Sequence, residues 1–474
     1  MAISLISRPT TWGRVWDTNR LTYTFSSSNY TQPNFQYQFV LTYWSYDGTQ
    51  TNIGTFNLFP NFGGTCEFNP GVIYKNYLSY DFNTSTTSLK ECLYGAGKFS
   101  LTCYEYYGTP PTKKLTGNWA GEVGSYQPFK AYNGTQQFIP YDYTALNASG
   151  NYKWVMSTGT TKGQFLTDAT EFRLSNSDLA FLYFLGDNTT GRPTRIRYKV
   201  YYNCSGGGTN PADLPSFFGI TNELNNSPIQ DQPTPQTIPQ YNLDFGGGVE
   251  PDPSTSWTGI CSTSYLYDTN VSYSYTNTLQ YYFPMGPYQC LNNNNILSGY
   301  ADSWVYYTID ILSGNTVLNA KPFIVYNTCK SSKYGKWQLF WLNLHGGFDT
   351  YTFDRKTDIN YKLEKGTYKQ KLSPNPSFSS YEAGERVYNN KSTQEITLRS
   401  NLLSQKEAQL LIQLAQSPRI YVNTMYTYNS SVYPYGVPYI ITNDGIKYEN
   451  KKNDKEIVME IKIRPANELI LQND

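Results

Sequence analysis

The chain has 474 residues with 37 basic and 36 acidic side chains, which gives a formal net charge of +1. Such an even balance of charges excludes a strong overall electrostatic field. We therefore expect no direct readout of nucleic acid. Charged residues make up only 15% of the chain, against roughly 25% in a typical soluble protein. The length indicates several domains, because single hydrophobic cores stop growing at about 250–300 residues.

The chain is rich in tyrosine where a typical protein has charged residues. It contains 46 Tyr, and aromatic residues make up 17% of the chain. The tyrosine side chain favours strands and brings a large apolar face with a polar tip to an interface, with few torsions to freeze. A surface rich in Tyr and poor in charge suits a subunit that packs against neighbours. The codon bias of an AT-rich genome explains the same excess equally well, so both interpretations stay open.

The first residues, Met1–Pro9, lack the basic region and long apolar run of a secretory signal. No apolar run approaches the roughly 18 residues that a membrane-spanning helix needs. We therefore expect no membrane span, and we expect synthesis in a bacterial cytoplasm.

The cysteines are odd in number and include no Cys-x-x-Cys pair. Such spacing is typical neither of a zinc site nor of a disulfide framework, and it predicts reduced thiols. We expect no metal and no cofactor. The seven residues are Cys66, Cys92, Cys103, Cys204, Cys261, Cys290 and Cys329.

Alternating apolar and polar residues predict half-buried antiparallel strands through much of the chain. The clearest runs are Phe35–Tyr43, Arg195–Tyr202, Trp304–Leu312 and Glu456–Ile463. Turn signals such as Asp47-Gly48 and Ser313-Gly314 separate the runs. We therefore predict a mainly β fold class with several β-sandwich or barrel-like domains, few short helices and a long Pro/Gly-rich arm.

One segment, Ser404–Gln416, has a clear helical pattern. Ser404 stands at the N-cap and Glu407 completes a capping box, while Ser417-Pro418 ends the helix. Its apolar face consists of Leu403, Leu410, Leu411, Leu414 and Ala415. A weaker signal at Ser177–Leu182 indicates a helix or a turn.

Residues 205–255 contain 8 Pro and 7 Gly among 51 positions, which predicts a linker or an extended arm rather than a packed sheet. Charge density also changes along the chain: Lys321–Asp474 carries 36 charges in 154 residues, and the preceding 320 residues carry 37. We therefore predict an N-terminal β-sandwich-like domain at 1–130, a β-rich middle domain at 131–204 completed by strands at 256–320, the arm at 205–255, and a β-rich C-terminal domain at 321–474.

Motifs for catalysis are sparse. The single histidine, His345, lies beside a Gly-Gly turn and is more simply explained as a structural polar residue than as a catalytic base or metal ligand. The sequence supplies no Gly-x-Ser-x-Gly elbow and no phosphate-binding loop. We therefore expect that the chain is not an enzyme, and we assign no catalytic, cofactor-binding or metal-binding residue.

Four acidic residues stand in aromatic surroundings, as they would in a polysaccharide-depolymerising protein. Isolated strand charges are the simpler explanation, and only the spatial separation of two carboxylates would decide between the two. The four are Glu67, Glu91, Glu105 and Glu171.

Two parts of the chain resemble virion proteins of tailed bacteriophages that infect Bacteroidetes, including crAss-like phages. The first is the succession Asn34–Tyr43, Ile53–Asn61, Gly64–Pro70 and Val72–Leu78, with an Asp47-Gly48 turn after its first run. The resemblance implies a small β-sandwich there.

The second part begins at Phe340–Phe353, which is similar to an "lN.lGGfd.ftF" motif in which His345 takes a variable position. It continues through Leu398–Ser404, Leu414–Tyr421, Pro438–Thr442 and Lys455–Ile461. The resemblance covers roughly residues 8–80 and 321–468. It implies a virion component near the tail, such as a ring, hub or fibre-attachment protein.

We therefore expect a structural subunit of a bacteriophage virion, a tail or neck ring or hub protein that assembles as a homo-oligomer around the tail axis. Its expected partners are copies of itself and other tail, portal or fibre proteins. The alternatives are a tail-associated protein that binds host-receptor glycans and, second, a tail-associated glycan hydrolase. A capsid protein is disfavoured because the sequence predicts no long continuous helix.

Overall fold

The computed structural model describes residues 3–7, 12–15, 21–86, 88–114, 129–132, 153–186, 192–206, 257–268, 279–292, 296–300, 303–328, 335–369, 385–428, 431–443, 457–467 and 469–470. The chain divides into two compact units. Unit 1 is Met1–Cys329 with Asn343–Phe348, and unit 2 is Lys330–Leu342 with Asp349–Asp474. The domain ranges expected from the sequence stay predictions, and the arm at 205–255 lies outside the described residues beyond Gly206.

The described residues of unit 1 form strands and two very short helices. Its strands are β1 (Ile3–Ser7), β2 (Trp12–Arg14), β3 (Tyr23–Ser27), β4 (Gln36–Trp44), β5 (Gln50–Leu58), β6 (Thr65–Phe68), β7 (Lys90–Cys92), β8 (Ala96–Tyr107), β9 (Thr112–Lys114), β10 (Phe129–Tyr132), β11 (Glu171–Leu174), β12 (Phe181–Leu185), β13 (Arg195–Gly206), β14 (Trp257–Asp268), β15 (Gln280–Pro284), β16 (Trp304–Ser313), β17 (Thr316–Val317) and β18 (Phe323–Asn327). Its helices are α1 (Gly71–Tyr74) and α2 (Pro287–Asn292), and single 3-10 turns lie at Lys75–Tyr77 and Ser298–Tyr300.

The first part of unit 1 is a sandwich of two sheets, in the orders β1-β3-β6 and β2-β10-β8-β4-β5, with β9 paired to β8. Strand β4 alternates between buried and half-buried positions along its whole length, as its sequence predicts. Phe39 of β4 stacks on Phe68 of β6 with 4.6 Å between ring centroids, which joins the two sheets through one shared core.

Two further sheets of unit 1 follow the orders β11-β18-β16-β13-β14, with β17 paired to β16, and β12-β15-β7. Every residue of β12 and β15 is buried, so these strands show no alternation in sequence. Strands β13 and β14 pair over their full length, from Arg195 opposite Asp268 to Gly206 opposite Trp257.

Unit 2 is one large antiparallel sheet covered by a helix. Its order is β20-β19-β23-β24-β25-β22-β21, with β26 paired to β22. Its elements are β19 (Trp337–Leu342), β20 (Phe348–Phe353, whose first residue is assigned to unit 1), β21 (Asp358–Lys369), β22 (Glu385–Arg399), α3 (Gln405–Gln416), β23 (Ile420–Tyr428), β24 (Ser431–Ile441), β25 (Glu460–Pro465) and β26 (Leu469–Ile470).

Helix α3 buries its apolar side on one face of this sheet, which we call the core face. Leu411 and Leu414 of α3 belong to the same buried cluster as Ile396 of β22 and Ile463 of β25. The predicted capping box is present: the Glu407 backbone N–H donates to the Ser404 Oγ at 3.3 Å, and the Ser404 N–H donates to a Glu407 carboxylate oxygen at 2.8 Å. The last helical residue, Gln416, precedes Ser417-Pro418 as expected.

The predicted mainly β fold class is confirmed, with a few short helices among the described residues. Ser177–Leu182, expected as a helix or a turn, begins at the end of a turn and leads into the fully buried strand β12. One detail of the sequence interpretation differs from the structure. The run Glu456–Ile463 enters the sheet only at Glu460, after an isolated bridge between Ile457 and Leu403. No helix in the described part of the chain is long and apolar enough to cross a membrane.

Replacing Ser404 with Ala removes the side-chain acceptor at the N-terminus of α3. We expect a loss of about 1 kcal/mol in the free energy of unfolding of unit 2. Chemical denaturation of the full chain measures it. The neighbouring exposed residue gives the control: Gln405→Ala keeps the capping box and should change stability by less than about 0.5 kcal/mol. Equal effects of the two substitutions would contradict the role assigned to the cap.

Candidate assembly surface

The hairpin of β21 and β22 forms one edge of the sheet in unit 2. Strand β21 is the terminal strand of the sheet order and pairs with β22 from Asp358 opposite Thr397 to Lys369 opposite Glu385. Arg399 fixes the start of the hairpin, with its Nη1 2.7 Å from Asp358 Oδ2 and its Nε 3.2 Å from Glu460 Oε2. The hydrogen bond from Arg399 lowers the pKa of Asp358, which keeps this carboxylate charged.

The core face of the sheet continues onto β21, where its apolar side chains are exposed. Ile359 lies opposite Ile396, so both side chains project from the same face, and Tyr361 and Leu363 follow at the period of a strand. Ile396 is fully buried, whereas Tyr361 and Leu363 are 60% and 59% exposed. The same apolar face is therefore inside the protein at β22 and open to solvent one strand further out.

The far end of the hairpin carries a second exposed apolar group. The register shifts between Gly366 and Thr367, where β22 has one extra residue, Tyr388. The ring of Tyr388 lies over Gly366, since a Cβ built there would be 2.7 Å from it. Tyr388 and Tyr368 have ring centroids 6.3 Å apart, and both are exposed.

The exposed apolar side chains on the core face of the hairpin form what we call the hairpin patch. It consists of Ile359, Tyr361, Leu363 and Val387, which is paired with Thr367. Tyr368 is five positions from Leu363 and the ring of Tyr388 lies over Gly366, so these two rings lie on the opposite face. An exposed apolar surface is typical of an interaction site. Among the described strands β21 is the last of its sheet, which places a strand edge beside the patch.

The opposite face of the same strands is polar and holds a cleft of about 580 Å³, which we call the basic cleft. Its charged residues are three cations, Lys362, Lys462 and Arg464, and one carboxylate, Glu395. Thr442 and Asn443 line it as well. The charged side chains of the cleft therefore have a net charge of +2.

Glu395 interacts with two of these cations, Lys362 and Lys462, and both help to lower its pKa. Its carboxylate lies 3.6 Å from Lys362 Nζ and accepts a hydrogen bond of 2.9 Å from Thr442 Oγ1. The Thr442 hydroxyl is the main cause of the lowered pKa of Glu395. No described carboxylate lies within salt-bridge distance of Lys462 or Arg464.

Unit 1 has its own exposed aromatic residues, Phe59 and Phe62, on the connection between β5 and β6. Two hydrogen bonds stabilise the turn that carries Phe62. Gly64 N donates to Asn61 O at 2.9 Å, and the Tyr37 hydroxyl donates to Gly64 O at 2.5 Å. Phe62 itself is fully exposed. A large apolar side chain on a fixed turn suits insertion into a partner.

The only histidine, His345, is buried in unit 1, in the turn at Asn343–Phe348. Its Nε2 lies 2.8 Å from Asp168 Oδ1, and the ring centroids of His345 and Trp154 are 4.1 Å apart. The Asn343 side chain organises the turn, because its Oδ1 accepts from the backbone N–H of His345 and of Gly347. These contacts fit the structural interpretation of His345 made from the sequence.

The four embedded acids stand on four different sheets of unit 1. Glu105 is fully buried and accepts hydrogen bonds from Ser27 Oγ and, at 2.9 Å, from Asn29 Nδ2. Glu171 lies 3.5 Å from Arg173. Glu67 is exposed and Glu91 is half-buried. The contacts of Glu105 and Glu171 are of the kind that an isolated strand charge makes.

The described thiols are buried within unit 1. Burial raises the pKa of Cys66 to about 11 and that of Cys290 to about 12, and it also raises the pKa of Cys92 and Cys103. All four cysteines are free. Within the described residues no group of His, Cys, Asp and Glu has the arrangement of a metal site.

No protein-family model and no curated protein matches the chain. The chain is similar to one from a solved structure described as "Virion of native gene transfer agent (GTA) particle", with 17% identity over 27% of this chain and 91% of that one, and a TM-score of 0.18. It is also similar to one from "Tail of empty GTA particle computed with helical refinement, C6 symmetry", with 18% identity over 27% and 90%, and a TM-score of 0.18. Neither score is high enough to indicate a shared fold.

Replacing Asn343 with Ala leaves three buried backbone groups without their partner: the N–H of His345, the N–H of Gly347, and the carbonyl of Leu166, to which Nδ2 donates at 2.7 Å. Each such group costs about 1–3 kcal/mol, so we expect a loss of at least about 3 kcal/mol from unit 1 in chemical denaturation. Exposed Asn57 is the control, and Asn57→Ala should be nearly neutral. A neutral Asn343→Ala would contradict this account of the turn.

The raised pKa values predict slow thiol chemistry, because the thiolate is the reactive form and burial also blocks access. In iodoacetamide labelling at pH 8, we expect Cys66, Cys92, Cys103 and Cys290 to react at least tenfold more slowly in the native chain than in guanidinium. Peptide mass mapping resolves each position. Rapid native labelling of any of the four would show that its surroundings open readily.

Proposed function

We propose that this chain is a structural subunit of a tailed-bacteriophage virion, and that it assembles with copies of itself through the hairpin patch. The observation that carries the proposal is the core face of β21, where Ile359, Tyr361 and Leu363 are exposed on the last of the described strands of the sheet. The low charge of the chain and its 46 tyrosines support the same conclusion. The sequence resemblance at 8–80 and 321–468 supplies the virion context.

A ring or hub around the tail axis is the form of assembly that we propose. The hairpin patch belongs to one edge of one sheet, so a neighbour that binds it with a different surface makes a head-to-tail contact. Head-to-tail contacts generate closed rings when the rotation between copies closes. Other tail, portal or fibre proteins would bind the remaining surfaces, and the virion tail or neck is the proposed location after synthesis in the host cytoplasm.

We also propose that the chain has no catalytic role. His345 is enclosed by Trp154 and Asp168, where a substrate would have to displace a packed ring. Glu105 already accepts two hydrogen bonds in a buried position, and Glu171 is engaged with Arg173. A pair of carboxylates facing each other in a cleft is what a glycan hydrolase would require.

A glycan-binding protein that recognises the host surface is the second candidate. Exposed aromatic residues on loops are its expected mark, and Phe59 and Phe62 provide them on the connection between β5 and β6. A trimer in solution with measurable binding to host polysaccharide would favour this candidate over a ring.

The hairpin patch gives a direct test of assembly. We expect the purified chain to form a closed oligomer, seen by light scattering over a range of concentrations and by negative-stain imaging. Tyr361→Ser with Leu363→Ser removes two anchors, each worth about 1.5–3 kcal/mol when buried. Association should weaken by about 100-fold, which corresponds to about 2.8 kcal/mol.

The control variant has two serine substitutions outside the hairpin. Leu402→Ser with Val458→Ser replaces two other exposed apolar residues of unit 2. We expect this variant to assemble normally. If the unaltered chain is monomeric alone, the same variants are compared for binding to purified portal and tail proteins. A chain that neither self-associates nor binds such proteins would contradict the proposal.

A further inference from the structure

The two end strands of the sheet in unit 2 differ in accessibility. Among the described strands, β20 stands at one end of the sheet order and β21 at the other. Four of the six residues of β20 are buried, whereas ten of the twelve residues of β21 are exposed. Within the described residues β21 pairs only with β22. The outer edge of β21 is therefore the place where a further strand can be added through backbone hydrogen bonds.

A second copy of this chain offers two end strands for such a contact. Its β20 is largely buried, which disfavours a contact between unlike ends of two sheets. Its β21 is exposed and has the same length. The contact that remains pairs β21 with β21, and such a contact between identical surfaces has two-fold symmetry.

The length of the strand favours one register for this pairing. Leu363 lies near the middle of β21, and an antiparallel pairing that puts Leu363 opposite Leu363 of the second copy aligns Asp358 with Tyr368. Eleven of the twelve residues of each strand are then paired. An antiparallel ladder of that length has about ten backbone hydrogen bonds between the copies.

The charges of β21 favour the same register. It places Lys362 opposite Glu364 of the second copy and, by symmetry, Glu364 opposite Lys362. Within one chain Lys362 lies 3.6 Å from Glu395 Oε2, and Glu364 is paired with Lys391. The added strand therefore continues an alternation of sign across the polar face, from Lys391 through Glu364 to Lys362 of the second copy. Opposite charges directly across two strands stabilise their pairing.

Neighbouring registers place like charges opposite each other. Moving the symmetry axis by one residue puts Lys362 opposite Lys362 or Glu364 opposite Glu364. Moving it by two residues puts Asp358 opposite Glu364 or Lys365 opposite Lys365. Like charges directly opposite are destabilising, so the charge pattern excludes these four registers and keeps the one centred on Leu363.

We propose that two copies of this chain join edge to edge through antiparallel β21 strands, with Leu363 opposite Leu363 on a two-fold axis. This inference rests on the proposed function, since it names one contact through which copies assemble. Side chains directly opposite each other lie on the same face, so the two hairpin patches become one continuous apolar surface. Combined with the head-to-tail contacts of the proposed ring, this two-fold contact links copies of two rings.

A charge exchange between two variants tests the pairing. In a full chain with Lys362→Glu, or one with Glu364→Lys, like charges lie opposite each other, and association measured by light scattering should weaken at least about tenfold. In an equimolar mixture of the two variants opposite charges meet again, and association should return to within about threefold of the unaltered chain. The changes inside each chain are the same alone and mixed, so recovery reports the contact between copies.

Single cysteines test the register. Opposite side chains have Cβ atoms about 4.5–5.5 Å apart, close to the separation that a disulfide requires. With oxidised glutathione as the oxidant, two Leu363→Cys chains should form one intermolecular disulfide while the glutathione disulfide is reduced to two thiols. Non-reducing electrophoresis and peptide mass mapping identify the linked position. The unaltered chain gives the background from the native thiols, and residue 363 is exposed, which favours normal folding of the variant.

Two further cysteine variants are the matched controls. The proposed register puts Tyr361 opposite Lys365 of the second copy, and about 13 Å along the strand from the second copy of Tyr361. A Tyr361→Cys chain alone should therefore give no dimer above background. A mixture of Tyr361→Cys and Lys365→Cys chains should give a disulfide between these two positions.

The inference is overturned if the Leu363→Cys chain gives no dimer above background, or if the mixed charge variants associate no better than each variant alone. Self-linkage at position 361 would mean a different register and would also overturn it. If Tyr361→Ser with Leu363→Ser still weakens assembly in these cases, the proposed function stands without this contact. An unaltered chain that neither self-associates nor binds portal or tail proteins contradicts both.

Discussion

The length of helix α3 relative to the strand beside it determines what unit 2 exposes. The helix has 12 residues and covers about 18 Å along its axis. Strand β22 has 15 residues and runs for about 50 Å. A helix of that length cannot cover the whole core face, and β21 lies one strand further out still. The apolar face that α3 buries at Ile396 is therefore open at Tyr361 and Leu363.

This mismatch separates two kinds of surface on one hairpin. Strand geometry sends alternate side chains to opposite faces, so Ile359, Tyr361 and Leu363 lie on the core face. Lys362 lies on the polar face with Glu395, Lys462 and Arg464. Apolar contacts contribute most of the affinity in an association, and charged contacts contribute specificity and register. The two faces of the hairpin therefore differ in chemistry, one apolar and one charged.

Much of the fold follows from local pattern. The alternation in β4, β13 and β16 and the capping box at Ser404 identify strands and helix with nearly the right ends, because one face of each is buried and the other is not. Alternation in the sequence does not identify β12 and β15. Both faces of these strands are buried, which removes the pattern that distinguishes a strand from a buried helix. The late start of β25 depends on the bridge between Leu403 and Ile457, a contact between distant residues.

The candidate site was harder to predict than the fold. Ile359, Tyr361 and Leu363 alternate with polar residues as in any half-buried strand, and only the structure shows that these apolar side chains are exposed. The basic cleft likewise combines three strands and the segment after β24, so no short stretch of sequence contains it. The interpretation of His345 as a structural residue stays a prediction, and its contacts with Asp168 and Trp154 fit it.

The most direct measurement is site-specific photo-cross-linking from the hairpin patch. A benzophenone amino acid at Tyr361 is irradiated in a mixture of ¹⁴N- and ¹⁵N-labelled full chains, and mass spectrometry identifies the attached peptides. The same probe at exposed Leu402 is the comparison. If the patch joins copies, cross-links from position 361 connect light and heavy chains, and those from 402 do not. An oligomer that forms while position 361 gives no cross-link between chains would contradict the central role of the patch.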